Sequence, residues 1–585
     1  MNQELRTYSF GNKPPPPPVQ VYPAPDNVPL SPSPPPYSLP DDTTRSVFDR
    51  YKSILVLCGT CLCAFFNQYQ PVSPLIILFQ TGILVFIHWT HNWWFRWLGT
   101  ILVSFVLSFS MALVFRDDNT SDWDWTSFGY IVGIDMAIGH AFFLLAVIHN
   151  HLVSWSPGKV YIFTYPTLLT TVFSVMGNFT PVGTLTNIGY AFYDWQSFIQ
   201  VVSLFGLSSL TWIVLTLGVC VAHVLVIDRD IPHREPRRVF SKLFGISLFF
   251  ITWLYGSIRL LAPYMYQLTI EDTAIPASDW VNAACVTIVG NEADALDLTE
   301  ALLESNPTVQ FIMWTEAAKQ VPYYDDRTIP NPQIWQEPRL SDFIANVSEV
   351  SRRYNTTIVS TYAVWAYPNN INDDSQYNNL MVIDPVVGEV GEYAKLHPVP
   401  IIEIGVIPGT GKYMLSGKAS NIGEFTAGIC FDYDFPLFVR NSMAQTGAGG
   451  LMIQPANTWG FIGRWHGVSS SFRAIEMGTY LTRCGSQGPS GLWDYYGNTL
   501  AYQSRSDNGV VEFQIPYNVE RIWTVYASFG FVFDFVVYAF AAIYLGIFFY
   551  SLCRHKNRQR AGDERRTSSQ IDEMSPINIR NSPAV

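Results

Sequence analysis

Three residue types that together perform acyl transfer occur in order along this 585-residue chain. They are Glu316 in Trp314-Thr315-Glu316-Ala317, Lys395 in Tyr393-Ala394-Lys395-Leu396-His397, and Cys430 in Gly428-Ile429-Cys430-Phe431-Asp432. A thiol ionises only near pH 8.5, so a nucleophilic cysteine at neutral pH needs a base. A partly desolvated Glu316 can take that proton. Lys395 and the backbone N–H of Phe431 can then stabilise the oxyanion that forms when sulfur attacks a carbonyl. The product of the first half-reaction would be a thioester on Cys430. Taken singly, the cysteine is equally a buried structural residue, Glu316 a helix N-terminal acid and Lys395 a solvated lysine; their joint order favours the chemical reading.

The elements needed to hold such a trio are legible around it. Runs at 281–289, 309–314, 357–361, 380–384, 425–429 and 451–454 have strand composition, and 295–305, 338–353, 436–446 and 467–478 read as helices. This alternation predicts a sheet covered by helices. Glu316 and Cys430 each follow a strand run, where side chains distant in sequence converge at one sheet edge.

The rest of the chain is oily: hydrophobic residues are 49% and charged residues 14%, which predicts a mixed membrane and globular protein. Apolar runs lie at about 53–69, 74–90, 95–115, 128–149, 160–177, 199–227, 243–262 and 525–551, so about eight spans are expected, the first two being short. The expected organisation is a proline-rich disordered tail at 1–50, seven spans within 51–265, a catalytic domain at 278–520, an eighth span at 525–552 and a disordered tail at 553–585. No cleaved signal peptide is indicated; the first span would serve as the targeting signal.

Arg45, Arg50, Lys52, Arg96, Lys159, Arg229, Arg234, Arg237, Arg238, Lys242, Arg554, Lys556, Arg558 and Arg560 fall in one alternating set of loops and tails. The positive-inside rule makes both tails cytosolic and the catalytic domain exoplasmic. Glycosylation sequons at Asn119, Asn178, Asn346 and Asn355 all fall on the exoplasmic side, which points to a eukaryotic secretory-pathway or plasma membrane. The formal net charge is −12, and residues 271–520 hold 28 acids against 13 bases, which argues against a nucleic-acid partner.

The trio and its surroundings resemble the nitrilase (carbon-nitrogen hydrolase) superfamily. The layout of seven spans, a globular domain and one closing span is similar to apolipoprotein N-acyltransferase, as are Glu403, Asn457, Trp459, His466, Arg473, Glu476, Arg483, Asp494 and their spacing. The resemblance implies an α/β nitrilase-like αββα sandwich carried by a polytopic α-helical membrane protein. It further implies Glu316 as base, Lys395 as oxyanion partner, Cys430 as nucleophile and Glu403 as a second acid. Asn457 and Trp459 would shape the pocket, although Trp459 is equally a core residue; Arg473, Glu476 and Arg483 read as a structural ion-pair network. Two departures stand out. Asp432 is one methylene shorter than the family's glutamate, and only 34 residues separate Lys395 from Cys430, in a segment with Gly405, Gly409, Gly411 and Gly417 that reads as a short flexible lid.

No cofactor or metal is expected: Cys58 and Cys61 form a lone CxxC in an apolar run, and the histidines lack ligand spacing. Cys285 and Cys484 could form a disulfide in an oxidising lumen. Pro34-Pro35-Pro36-Tyr37 matches the motif read by WW domains, and Arg565-Arg566-Thr567-Ser568-Ser569 is a candidate phosphosite. Three functions remain open: a membrane N-acyltransferase moving a fatty acyl group from a phospholipid donor to an amine-bearing protein or lipid, a membrane-tethered amidase using water, and a silent scaffold.

Overall fold

The computed structural model describes residues 47–573, apart from 70–71, 116–124, 157, 230–233, 270–278, 289–293, 317, 319–321, 328–337, 367–373, 401, 446–447, 459–461 and 505–507. Each expected apolar run falls on a helix: α1 Val47–Tyr69, α2 Ser73–Trp89, α3 Trp93–Phe115, α4 Trp125–Trp155, α5 Thr164–Phe179, the single turn α6 Gln196–Ile199, α7 Val202–Ala222 and α8 Glu235–Thr269 precede the globular part. Among the described residues, six helical segments are long and apolar enough to cross a membrane: Trp93–Ser110, Val132–Trp155, Lys159–Phe179, Val202–Ile227, Glu235–Ala262 and Phe531–Asn557. The first two apolar helices, Tyr51–Phe66 and Ser73–Trp89, fall short of that length.

One charge of the basic set does not behave as a loop charge. Arg237 is fully buried and donates to both carboxylate oxygens of Asp228 and to the carbonyls of Val153 and Ser156. It ties α4 to α8, so the orientation argument loses one member.

The globular part is built of β1 Trp280–Thr287, α9 Ala295–Ser305, β2 Phe311–Trp314, α10 Leu340–Tyr354, β3 Thr357–Trp365, β4 Gln376–Asp384, β5 Gly388–Ala394, β6 Leu415–Ala419, β7 Gly423–Ala427, α11 Pro436–Met443, β8 Leu451–Asn457, α12 Ile462–Met477, β9 Tyr480–Ser486, β10 Ser490–Trp493, β11 Thr499–Gln503 and β12 Gly509–Pro516. These pair into two six-stranded sheets, ordered β12-β1-β2-β3-β4-β5 and β11-β10-β9-β8-β7-β6. Strands β1, β2 and β3 are parallel, as are β7, β8 and β9; the flanking pairs are antiparallel.

Period-two alternation sets the layers. Phe311 and Met313 pack between the sheets with Phe425, Leu451 and Ile453, whereas Ile312 and Trp314 face outward onto Leu303 of α9 and Phe343 of α10. On the other side, Met452 and Leu481 pack on Val439 of α11 and Met477 of α12. The result is the expected αββα sandwich, and covering both faces explains why its inner strands read as unbroken apolar runs. Cys285 of β1 and Cys484 of β9 form a disulfide between the sheets, with Cα atoms 5.4 Å apart.

After β12 the chain turns through α13 Val525–Phe529 into α14 Phe531–Glu573. Helix continues about twenty residues beyond the expected boundary at 552, because Gln559 to Glu573 lacks proline and glycine apart from Gly562 and is rich in good helix formers. Residues 553–573 of the tail expected to be disordered are thus helical, and residues 574–585, like 1–46 with the Pro34–Tyr37 motif, lie outside the described residues.

Candidate active site

Glu316 follows the carboxyl end of β2, Lys395 follows β5, and Cys430 opens the 3-10 turn Cys430–Asp434 three residues after β7. All three are buried. β2 and β5 belong to one sheet and β7 to the other, and face-to-face packing of the two sheets brings their carboxyl ends together. Cys430 adopts φ +46°, a left-handed conformation that costs a non-glycine residue roughly 1–3 kcal/mol. That strain turns the thiol out of the strand line, toward the strand ends. Gln454 Nε2 donates to the Cys430 carbonyl at 2.9 Å, and the Tyr433 hydroxyl donates to the Ile453 carbonyl at 2.9 Å, fixing the turn from β8.

Lys395 is the hub. Its Nζ donates to Glu316 Oε1 at 2.5 Å and to both oxygens of Glu403 at 2.8 Å. Burial alone would lower the ammonium pKa, but the two carboxylates overcome it and hold it well above the ordinary lysine range. Glu403 is pushed up by burial and by Glu316, against the pull of Lys395 and a hydrogen bond from the Val399 N–H.

Glu316 is held from three sides: Oε1 also accepts from Asn378 Nδ2 and Oε2 from the Asn457 N–H, each at 2.8 Å. Each carboxylate oxygen offers about two acceptor sites. Oε1 is therefore filled and Oε2 keeps one lone pair for a proton. Burial, reinforced by Glu316, pushes the Cys430 thiol well above its ordinary value, against Lys395 and Arg483. Both effects favour the protonated thiol of Cys430.

Several side chains depart from the roles expected of them. Asn457 meets the trio through its backbone: its N–H binds Glu316 and its carbonyl lies 3.7 Å from Cys430 Sγ, while its side chain accepts from Ser486. Trp459 lies outside the described residues. Arg473 and Glu476 pair at 3.1 Å, as expected of an ion-pair network, but Arg483 lies apart from them, fully buried beside His466 at 3.4 Å. Asp432 is fully engaged. It accepts from the Tyr393 hydroxyl, the Ile429 N–H and the His397 N–H, and lies 2.9 Å from His397 Nδ1, so the shorter acid clamps the segment after Lys395 to the cysteine turn. The glycine-rich segment is likewise tied down: the Gly409 N–H donates to the Lys395 carbonyl, and Gly417 lies within β6.

Asn378, Asp434 and the contact between His466 and the thiol escape sequence reasoning. Asn378 and Asn379 are polar residues directly before the apolar run Leu380–Ile383 of β4, and that is the signal the sequence offers. His466 Nδ1 lies 3.8 Å from Cys430 Sγ, and its Nε2 lies 2.7 Å from Asp434 Oδ2.

Residues 288–519 match the family model described as carbon-nitrogen hydrolase. The chain carries a carbon-nitrogen hydrolase domain. It is similar to the apolipoprotein N-acyltransferase of Borreliella burgdorferi, with 22% identity over 420 residues, which cover 64% of this chain and 73% of the relative. Apolipoprotein N-acyltransferase 2 of Treponema denticola is 24% identical over 379 residues, 58% of this chain and 67% of that protein. Among solved structures, an amidase from Nesterenkonia sp. aligns at 15% identity over 43% of this chain and 92% of its own, with a TM-score of 0.33.

The hydrolase domain is joined to the helices through the active-site turn itself. The Asp434 carbonyl accepts from the Thr184 N–H and hydroxyl, both at 2.9 Å, and the Leu437 N–H donates to the Asn178 side chain. Further along, α7 breaks at Phe205 and Gly206, and the Leu207 N–H freed by that break donates to Glu476 Oε1 at 2.7 Å. Gly206 adopts φ +73°, and a Cβ there would lie 2.3 Å from the Tyr526 ring. A glutamate of the hydrolase domain thus caps the second half of an apolar helix.

Proposed function

We propose that the protein is a membrane N-acyltransferase that moves a fatty acyl group from a phospholipid to an amine through a thioester on Cys430. The observation that carries this reading is the joining of the cysteine turn to the turn after the apolar helix α5 through Asp434 and Thr184, which supports delivery of an acyl chain to Cys430 from a bilayer. The names of the relatives support the same reaction class.

In the first half-reaction the Cys430 S–H bond breaks, its proton passes to Glu316 Oε2, and sulfur attacks the ester carbonyl. Lys395 and the Phe431 N–H stabilise the oxyanion; its collapse expels the lysophospholipid alkoxide, which takes the proton. An amine then attacks the thioester, amide forms, and the thiol is restored. Glu403 keeps Lys395 charged and in place. Amidase action with water as acceptor is the alternative, and apolar helices beside the site favour transfer because they limit water at the thioester.

Helices α5 and α8 end, and α7 and α14 begin, at the hydrolase domain. With the basic loops at the other end, this supports an exoplasmic domain and cytosolic tails in a eukaryotic secretory-pathway or plasma membrane. Asn346 and Asn355 are exposed for glycosylation.

Purified protein incubated with phospholipid should gain one acyl mass, lost on adding an amine with formation of the amide; Cys430→Ala should gain none. Steady release of free fatty acid at a rate that no amine increases would establish the hydrolase instead. Full turnover by Cys430→Ala would refute the thioester.

A further inference from the structure

The cysteine has a second basic neighbour that the proposed chemistry leaves unused. His466 is buried at the start of α12, and three groups face its ring. Cys430 Sγ lies 3.8 Å and Arg483 Nη2 3.4 Å from Nδ1, while Asp434 Oδ2 lies 2.7 Å from Nε2. A carboxylate beside Nε2 favours the tautomer with its proton there, which leaves the Nδ1 lone pair toward the thiol and the guanidinium. Arg483 cannot give up its proton to the imidazole, since guanidinium stays charged. The one transferable proton facing Nδ1 is that of the thiol. Asp434 is itself fixed, because its carbonyl is held by Thr184 and its carboxylate Oδ1 lies 3.4 Å from the Thr184 hydroxyl. The orienting acid is thereby bound to the turn that follows α5.

We infer that His466, oriented by Asp434, is a second catalytic proton acceptor for Cys430, working beside Glu316. This rests on the reading of Cys430 as the nucleophile. In the step concerned, the S–H bond breaks, its proton moves to Nδ1, and the sulfur electron pair forms the bond to the acyl carbon. The imidazolium, stabilised by Asp434, then returns the proton to the departing alkoxide, leaving neutral imidazole and the thioester. A histidine in this place resolves the crowding at Glu316, whose carboxylate already accepts three hydrogen bonds. The 3.8 Å separation is long for a hydrogen bond, as proton-transfer contacts often are before substrate is bound.

The test uses the full chain and 4-nitrophenyl butyrate, an activated ester that reports acylation as a burst of nitrophenol without any lipid donor. Intact mass identifies the acylated residue. Burst rates are measured against pH for the wild type, Glu316→Gln, His466→Gln, Asp434→Asn and the double variants Glu316→Gln/His466→Gln and Glu316→Gln/Asp434→Asn. If the inference holds, Glu316→Gln retains a slow burst that falls as pH drops through the imidazole range. Adding His466→Gln removes that pH dependence and lowers the rate by roughly a further 10²-fold, the scale of one general base. Asp434→Asn in the Glu316→Gln background reproduces the loss while leaving the ring in place, so a folding defect in His466→Gln does not spare the inference. Superimposable burst rates and pH profiles with and without His466, in both backgrounds, would overturn it while leaving Cys430 as nucleophile. An adduct in the wild type at a residue other than Cys430 would overturn both readings.

Discussion

Replacing Lys395 by methionine should damage stability as well as catalysis, and the structure sets the size of the effect. Lys395 is 1% exposed and is the cation shared by Glu316 and Glu403 at 2.5 and 2.8 Å. Methionine keeps much of the stem's volume but leaves two neighbouring carboxylates, one buried and one largely so, without their counter-charge. Removing one partner from a buried ion pair costs roughly 3–5 kcal/mol. For a domain of this size each kcal/mol shifts the melting temperature by about 2–4 °C, so a fall of roughly 10 °C is expected in the transition of the hydrolase domain. The sign of its pH dependence follows from linkage. Unpaired, Glu403, which burial already pushes up, binds its proton more tightly folded than unfolded, so stability falls as pH rises through its raised range. The deficit against wild type should be smallest near about pH 5 and widest at neutrality. Thermal unfolding of the purified full chain, followed by tryptophan fluorescence between these limits, measures it. The triple variant Lys395→Met/Glu316→Gln/Glu403→Gln should recover most of the lost stability with no acyl-enzyme formed, because it removes the stranded charges together with the catalyst. A melting temperature for Lys395→Met within about 2 °C of wild type at neutral pH, or a triple variant no more stable than the single one, would refute the reasoning.

The disulfide between Cys285 and Cys484 spans 199 positions, for which chain entropy gives about 5 kcal/mol at most; reduction or the double alanine variant should lower the melting temperature, and an unchanged transition would show that the link does not constrain the unfolded chain. Gly206→Ala forces a side chain into a left-handed site against Tyr526 and should cost about 1–3 kcal/mol, read as faster proteolysis between α7 and the hydrolase domain; wild-type resistance would mean that the break in α7 is held by other contacts. In eukaryotic microsomes Asn346→Gln and Asn355→Gln should each remove one glycan's mass, whereas Asn178→Gln should remove none, because the Asn178 side chain is bound to Leu437 N–H and Ser174. A glycan on Asn178 would show that this contact opens during synthesis.

Cys430, Glu316 and Lys395 of the candidate site, and the helix-to-strand alternation around them, are written in local sequence. Apolar runs with period two or long enough for a membrane follow from the nearest neighbours along the chain, and the runs at 295–305 and 357–361 fall on α9 and β3 for that reason. Strands β5, β6 and β9 to β12 lie outside the expected runs: β6, β10 and β11 are only four or five residues long and β5 is mostly polar or small, whereas β12 does alternate Val511, Phe513 and Ile515 with Glu512 and Gln514. Partnership between polar groups is not local. Asn378 reaches Glu316 across 62 positions, and Glu476 caps a helix 269 positions earlier. A buried asparagine, histidine or arginine has the same identity in a core, a salt bridge or a catalytic site; its role is set by which groups share its low-dielectric surroundings. That is why Arg483 reads in sequence as a partner of Glu476 yet lies beside His466, and why Asn457 acts through its backbone. Residue type and order determined the kind of chemistry this chain is built for. Pairing and stacking of distant strands, and the joining of the Cys430 turn to Thr184 after α5, decided which groups surround the thiol.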